Sequence, residues 1–270
     1  MHAEVTKYLK VFSIGLQDTF VYRWNFVLRS LFGVVPLVAT VFIWRAVFAA
    51  RAATIGTYDI GEMIFYFLLI LFVESLVTPT EDEWRIAAEI REGQISALIT
   101  KPLNHLAYRF GLFASYRGLY TCITLPIVAL IFVWFREYLR LPAHAITWPA
   151  FILSVGMAAL IQFFLAYSLA MLAFWILEIA TVMFIVYSFE YFLSGHVFPL
   201  DIMPPALQTF LKFCPFTYEL FFPVQIYLER VQGPALAQGL LIQAVWVMLM
   251  FLLARGLWRQ GVKHYQAVGG

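Results

Sequence analysis

The sequence predicts an all-α membrane protein with six transmembrane helices, and three observations predict it. Six apolar stretches are each long enough to cross a bilayer, which takes about 20 mainly apolar residues in a helix. The composition is 63% hydrophobic and 13% charged, against roughly 45–50% and about 25% in an ordinary soluble domain. The mean hydropathy is +0.83. Six spans with their connections use nearly all of the 270 residues, so one transmembrane domain over 1–270 is expected, with little left for a soluble catalytic domain.

Residues 4–24 open the chain as an amphipathic stretch. Val5, Tyr8, Leu9, Phe12, Leu16, Phe20 and Val21 recur at helical spacing, with Lys7, Lys10, Gln17 and Asp18 between them. That pattern suits a helix over 1–26 lying in the membrane interface; a ragged start to the first span is the alternative. No compact apolar core followed by small residues is present, so the stretch does not read as a signal peptide.

The spans are expected at about 27–48, 61–79, 110–135, 148–174, 179–198 and 238–258. The longest polar stretch, 80–109, joins the second to the third. Within it Glu81, Asp82 and Glu83 lead into an amphipathic run, WRIAAEIREGQISALI, broken at Gly93 and turned back by Lys101 and Pro102. Ile86, Ile90, Ile95 and Leu98 can face the membrane or a neighbouring helix, while Glu89, Arg91 and Glu92 face water. Such a helix is a handle that moves two spans together; a solvated loop with a chance helix is the plainer alternative. After the fifth span, 194–234 carries Pro199, Pro204, Pro205, Pro215 and Pro223, too many for one helix. It is too apolar for a solvated loop, so short broken helices dipping partly into the membrane are expected.

Orientation follows from the Lys and Arg balance. An inside N-terminus puts ten well-placed basic residues in the cytoplasm and five outside. Both termini and the 80–109 loop are therefore expected inside, and 194–234 outside. Glu74, Arg117, Gln162 and Glu190 fall within or near the spans, where a charge costs about 2.5–3.5 kcal/mol at the centre. They are candidates for a pathway or for internal pairing, with Arg117 opposite Glu74 or Glu190. Trp24, Tyr66, Trp134, Trp148 and Trp258 sit near span ends as interfacial anchors. The net charge of +2 gives no basic surface for nucleic acid. Five scattered histidines and two cysteines, Cys122 and Cys214, form no metal or disulfide spacing. The sequence contains no G-x-x-x-x-G-K-[ST] phosphate loop, G-x-S-x-G or H-E-x-x-H. A non-catalytic subunit is expected, with energy supplied by an ion gradient or by another polypeptide.

Several segments, in this order and spacing, resemble the permease subunits of ABC-2-type transporters, in particular the six-span bacterial ABC-2 family transporter group. They are KYLKVFSIGLQDTFVYRWNF, EIREGQISALITKPLN, AFWILE, FLSGHVFPLDIMPPALQTFLKFCPFTYELFFPVQIYL and GVKHYQAVGG. The resemblance implies an N-terminal elbow helix and a coupling helix that docks on a separate ATPase, here Glu89, Ile90, Arg91, Glu92, Gly93, Gln94, Leu98, Lys101 and Pro102. It implies a second, smaller contact at Phe174, Trp175 and Glu178. Ser194, Gly195, Pro199, Leu200, Pro204 and Pro215 would belong to external re-entrant helices. It further implies a dimeric ATPase binding ATP and Mg, a second permease subunit of the same or a related chain, a bacterial inner-membrane location and an unidentified cargo. Export is the expected direction. An ion-coupled secondary transporter using Glu74, Arg117 and Glu190 competes with this reading, as does a non-transporting membrane scaffold.

Overall fold

A computed structural model describes residues 10, 12–13, 23–51, 54–78 and 82–265. The expected interfacial helix over 1–26 lies almost entirely outside the described residues. Among those described, the chain is all helix and turn, apart from an isolated bridge between Ile55 and Tyr58.

From Arg23 onward, ten α-helices follow in order among the described residues: α1 Arg23–Arg51, α2 Ile60–Val77, α3 Asp82–Arg91, α4 Ser96–Ile99, α5 His105–Trp134, α6 Thr147–Met171, α7 Ala180–Leu193, α8 Pro205–Leu211, α9 Phe221–Tyr227 and α10 Gly233–His264. Five of them, α1, α2, α5, α6 and α10, are long and apolar enough to cross a membrane. The fifth expected span, 179–198, holds the 14-residue α7, a helix of only about 21 Å.

The helix ends follow from local chemistry. Asp59 caps α2 by accepting from the Glu62 N–H at 2.7 Å, and Asn104 caps α5 by accepting from Ala107 at 3.1 Å. Each side chain satisfies a backbone donor with no partner inside the helix. α2 is apolar on every face, so it needs apolar neighbours all round. Met63 to Ile70 are all buried, and the helix packs against α1, α5, α6 and α9. α6 is the second hub, touching α2, α3, α9 and, most extensively, α10. Gly239 and Gly261 let α10 approach closely: a Cβ there would lie 2.3 Å from the Phe222 ring or 2.2 Å from that of Phe174.

The prolines break 194–234 into turns and the short helices α8 and α9, as expected. This broken segment folds back on the bundle. Tyr66, fully buried in α2, donates to the Gly195 carbonyl at 2.6 Å, so it is a structural clamp, not the interfacial anchor that its position near a span end suggested. Gly195 has φ +87°, and a Cβ would meet Tyr66 Oη at 2.6 Å and Phe221 Cβ at 2.9 Å. Glycine alone fits there without strain. Trp134 (83% exposed) and Trp148 (42%) remain on the bundle surface.

Candidate coupling site and polar groups of the bundle

The end of the bundle that carries α3 and α4 is one connected unit. Ile86, Ala87, Ile90 and Ile95 are buried in a cluster with Phe163, Tyr167, Met171 and Phe174. α3 therefore lies along α6 and does not hang in a loop. Gly93, with φ +78°, turns the chain between α3 and α4. Glu92, Gln94, Lys101 and Pro102 stay exposed, with Leu98 half-buried. The Gln94 amide donates to Glu92 Oε2 at 2.7 Å.

Polar contacts fix this unit to three long helices. Glu89 accepts from Arg109 of α5, a guanidinium only 1% exposed. Arg109 Nε in turn donates to His105 Nε2 at 3.4 Å. With Nε2 accepting, Nδ1 donates to the Tyr167 hydroxyl of α6 at 2.8 Å. The His105 ring stacks on Trp258 of α10, centroids 4.0 Å apart and planes at 4°. Tyr265 grips the turn, 2.7 Å from Ser96 Oγ and donating to the Gly93 carbonyl at 3.2 Å.

The second expected contact joins the same unit. Arg91 donates to the Leu177 carbonyl at 3.2 Å, which ties α3 to the 174–178 turn. Trp175 and Leu177 are exposed there, and Glu178 accepts from the Ala180 N–H at the start of α7. Phe174 and Ile90 are buried. Of the residues singled out in the sequence, these two can position the surface but do not form it.

Inside the bundle, Arg117 donates to the backbone carbonyls of Glu74, Leu76 and Thr78. A buried cation thus meets the carbonyls at and just past the C-terminal end of α2, where a positive charge is favoured. The Glu74 carboxylate lies 3.8 Å from His196 Nδ1. These groups line a cavity of about 320 Å³ between α1, α2 and α5, with Thr40, Tyr120 and Tyr191. Gln162 donates to Glu190 and also to Glu219, at 3.1 Å for the latter.

At the opposite end, a polar clasp holds the broken segment. Tyr58 donates to Asp201 at 2.9 Å and accepts from Gln225 at 2.8 Å. Arg230 lies 3.7 Å above the Tyr58 ring, 3.2 Å from Glu62 and 3.5 Å from Asp201. Burial pushes the Asp201 carboxyl up, against the hydrogen bond from Tyr58 and the charge of Arg230. Nearby, Glu229 accepts from the His144 N–H and the Thr147 hydroxyl, both at 2.8 Å. The His144 N–H, more than any other contact, brings the Glu229 carboxyl down to about 2.

A family model described as ABC-2 family transporter protein matches residues 34–269. The chain belongs to that family. As an ABC-2 family transporter protein it is a multi-pass membrane component of a transport system. No protein among the curated ones matches it. In the sequence of this family member, Arg109 is one of the ten basic residues counted as inside, and Trp258 is expected only as an anchor. The structure puts both at the centre of the α3 attachment, with His105 and Tyr167. One signal was readable: Arg109 and His105 share a face of α5 at i, i+4 spacing, at the end of the polar stretch.

Proposed function

We propose that the chain is the permease subunit of an ATP-driven ABC transporter, working as an exporter, with the α3–α4 unit as its coupling element. One observation carries the reading: a charged exposed turn, Glu92 to Pro102, sits on a helix anchored at once to α5, α6 and α10. A push on that turn reaches three spanning helices without passing through a flexible linker. Trp175, Leu177 and Glu178 extend the surface, because Arg91 joins them to α3.

In this account ATP and Mg bind to a separate dimeric ATPase, whose closure drives the turn. Two permease subunits, of the same or a related chain, enclose the pathway, since one chain supplies half of it. The cavity lined by Glu74, Arg117 and Tyr120 opens on that shared face. The segment from Ser194 through Gly195, Pro199, Leu200 and Pro204 to Pro215 is re-entrant and caps the pathway outside. Both termini and α3 are cytoplasmic, in a bacterial inner membrane. ATP shifts the inward-open and outward-open populations only by as much as it binds one of them better.

The test is purification of the tagged chain from its native membrane in mild detergent. A P-loop ATPase in stoichiometric amount is expected, lost when Glu92 and Lys101 are both changed to Ala. A folded, monodisperse chain that brings down no ATPase contradicts the reading.

A further inference from the structure

Gln162 of α6, Glu190 of α7 and Glu219, in the turn before α9, meet in the interior of the bundle. Glu219 is 0% exposed and Gln162 3%. The two Gln162 amide hydrogens are both committed, one to each carboxyl group. Three oxygens remain buried without a partner: Gln162 Oε1, Glu190 Oε2 and Glu219 Oε1. Among the described residues neither carboxyl group has an ion pair.

Glu83 and Glu74 act on Glu190 as like charges, and Cys214 acts on Glu219 in the same sense. Tyr187 of α7 completes the set. Among the described residues, each of these titratable neighbours is acidic or neutral. Two anions joined through one amide, with three acceptors unanswered, are costly in a low-dielectric interior. A proton on one carboxyl group eases both faults at once. It removes a charge and turns an unanswered oxygen into an O–H donor for another. No group of three His, Cys, Asp or Glu able to hold a metal ion occurs among the described residues.

The position gives the site a mechanical consequence. The Phe221 N–H donates to the Ser194 carbonyl at 2.9 Å, and Thr217 Oγ1 donates to Leu193 and Leu211 carbonyls. Glu190 and Glu219 thus face each other across the joint where the two ends of the broken segment are knitted together. We propose that Glu190 and Glu219 form a proton-binding site that fastens the broken segment to α6 and α7. When the carboxyl O–H bond breaks, the proton leaves to water and two carboxylates face each other. Their repulsion drives Glu219, and the segment with it, away from α7. Movement of the segment is then linked to proton occupancy independently of any ATPase, because the whole site lies within one chain.

Infrared difference spectroscopy of the full chain in lipid nanodiscs, with isotope-labelled glutamate, tests this. A protonated glutamic-acid carbonyl band is expected at neutral pH, fading as pH is raised. Glu190→Gln and Glu219→Gln should each remove it, whereas Glu74→Gln and Glu83→Gln should leave it. Absence of the band from the unmodified chain overturns the site whether or not the variants fold. So does a carboxylate band at neutral pH that shifts with sodium or potassium, which would assign a bound cation instead. Labelling of Gln208→Cys, measured relative to a fully exposed thiol at the same pH, should speed up over the same pH range, and lose that dependence in Glu219→Gln. A labelling rate that stays flat while the band titrates overturns the fastening role.

Discussion

Removing Glu89 should be far more damaging than its place on a polar loop suggests. Its partner Arg109 is 1% exposed, so Glu89→Ala strands a buried guanidinium. Breaking a buried ion pair from one side costs about 3–5 kcal/mol. Glu89 is itself 19% exposed, and water entering there softens the loss, so the lower end, about 3 kcal/mol, is expected. The other contact of Glu89, with Arg85 at 3.8 Å, is with a side chain 45% exposed and contributes no more than about 0.5 kcal/mol. The double variant Glu89→Leu/Arg109→Met should recover most of the loss, because apolar replacement of a whole buried pair is close to neutral. Chemical unfolding of the purified chain, arranged as a double-mutant cycle, gives the numbers. A Glu89→Ala cost below about 0.5 kcal/mol, the range of ordinary surface changes, would refute the claim that α3 is anchored through this pair.

Three further outcomes follow from the geometry. Gly195→Ala should destabilise by about 2–4 kcal/mol, combining left-handed backbone strain with loss of the buried Tyr66 hydrogen bond; thermal unfolding measures it. Gly261→Ala gains helix propensity of about 1 kcal/mol but drives a Cβ to 2.2 Å from the Phe174 ring. Net destabilisation is expected, since overpacking costs about 1–3 kcal/mol, and adding Phe174→Leu should reverse it. Glu229 is held at about 2 in the fold against 4.5 for the free group. Its contribution is therefore complete above about 4.5 and is lost as pH falls towards 2. Protection of residues 143–147 from hydrogen exchange, taken relative to the intrinsic rate at each pH, should fall over that window and lose its pH dependence in Glu229→Gln.

The sequence made the long helices legible because each is an uninterrupted apolar run bounded by polar or capping residues. The break at Gly93 was legible for a similar local reason, and the structure gives it φ +78°. Partners distant in the chain were not. Glu219 read as one polar residue in a proline-rich segment, and only the fold brings it to Gln162, 57 residues away. Arg117 drew attention as a mate for a carboxylate. Its donation to the C-terminal carbonyls of α2 depends on how two helices pack, which no local pattern encodes. The 14-residue length of α7 was hidden because the apolar composition continues through Leu193 into the turn at Gly195.

The central claim is that the exposed turn after α3 is where the ATPase docks. Single cysteines at Gln94 and Lys101, introduced with Cys122 and Cys214 replaced, should cross-link to that ATPase in native membranes. A cysteine at Leu130, 70% exposed on the flank of α5, should not. Cross-linking from Gln94 and Lys101 alone is the predicted result; an ATPase that co-purifies yet cross-links from neither position would contradict the account.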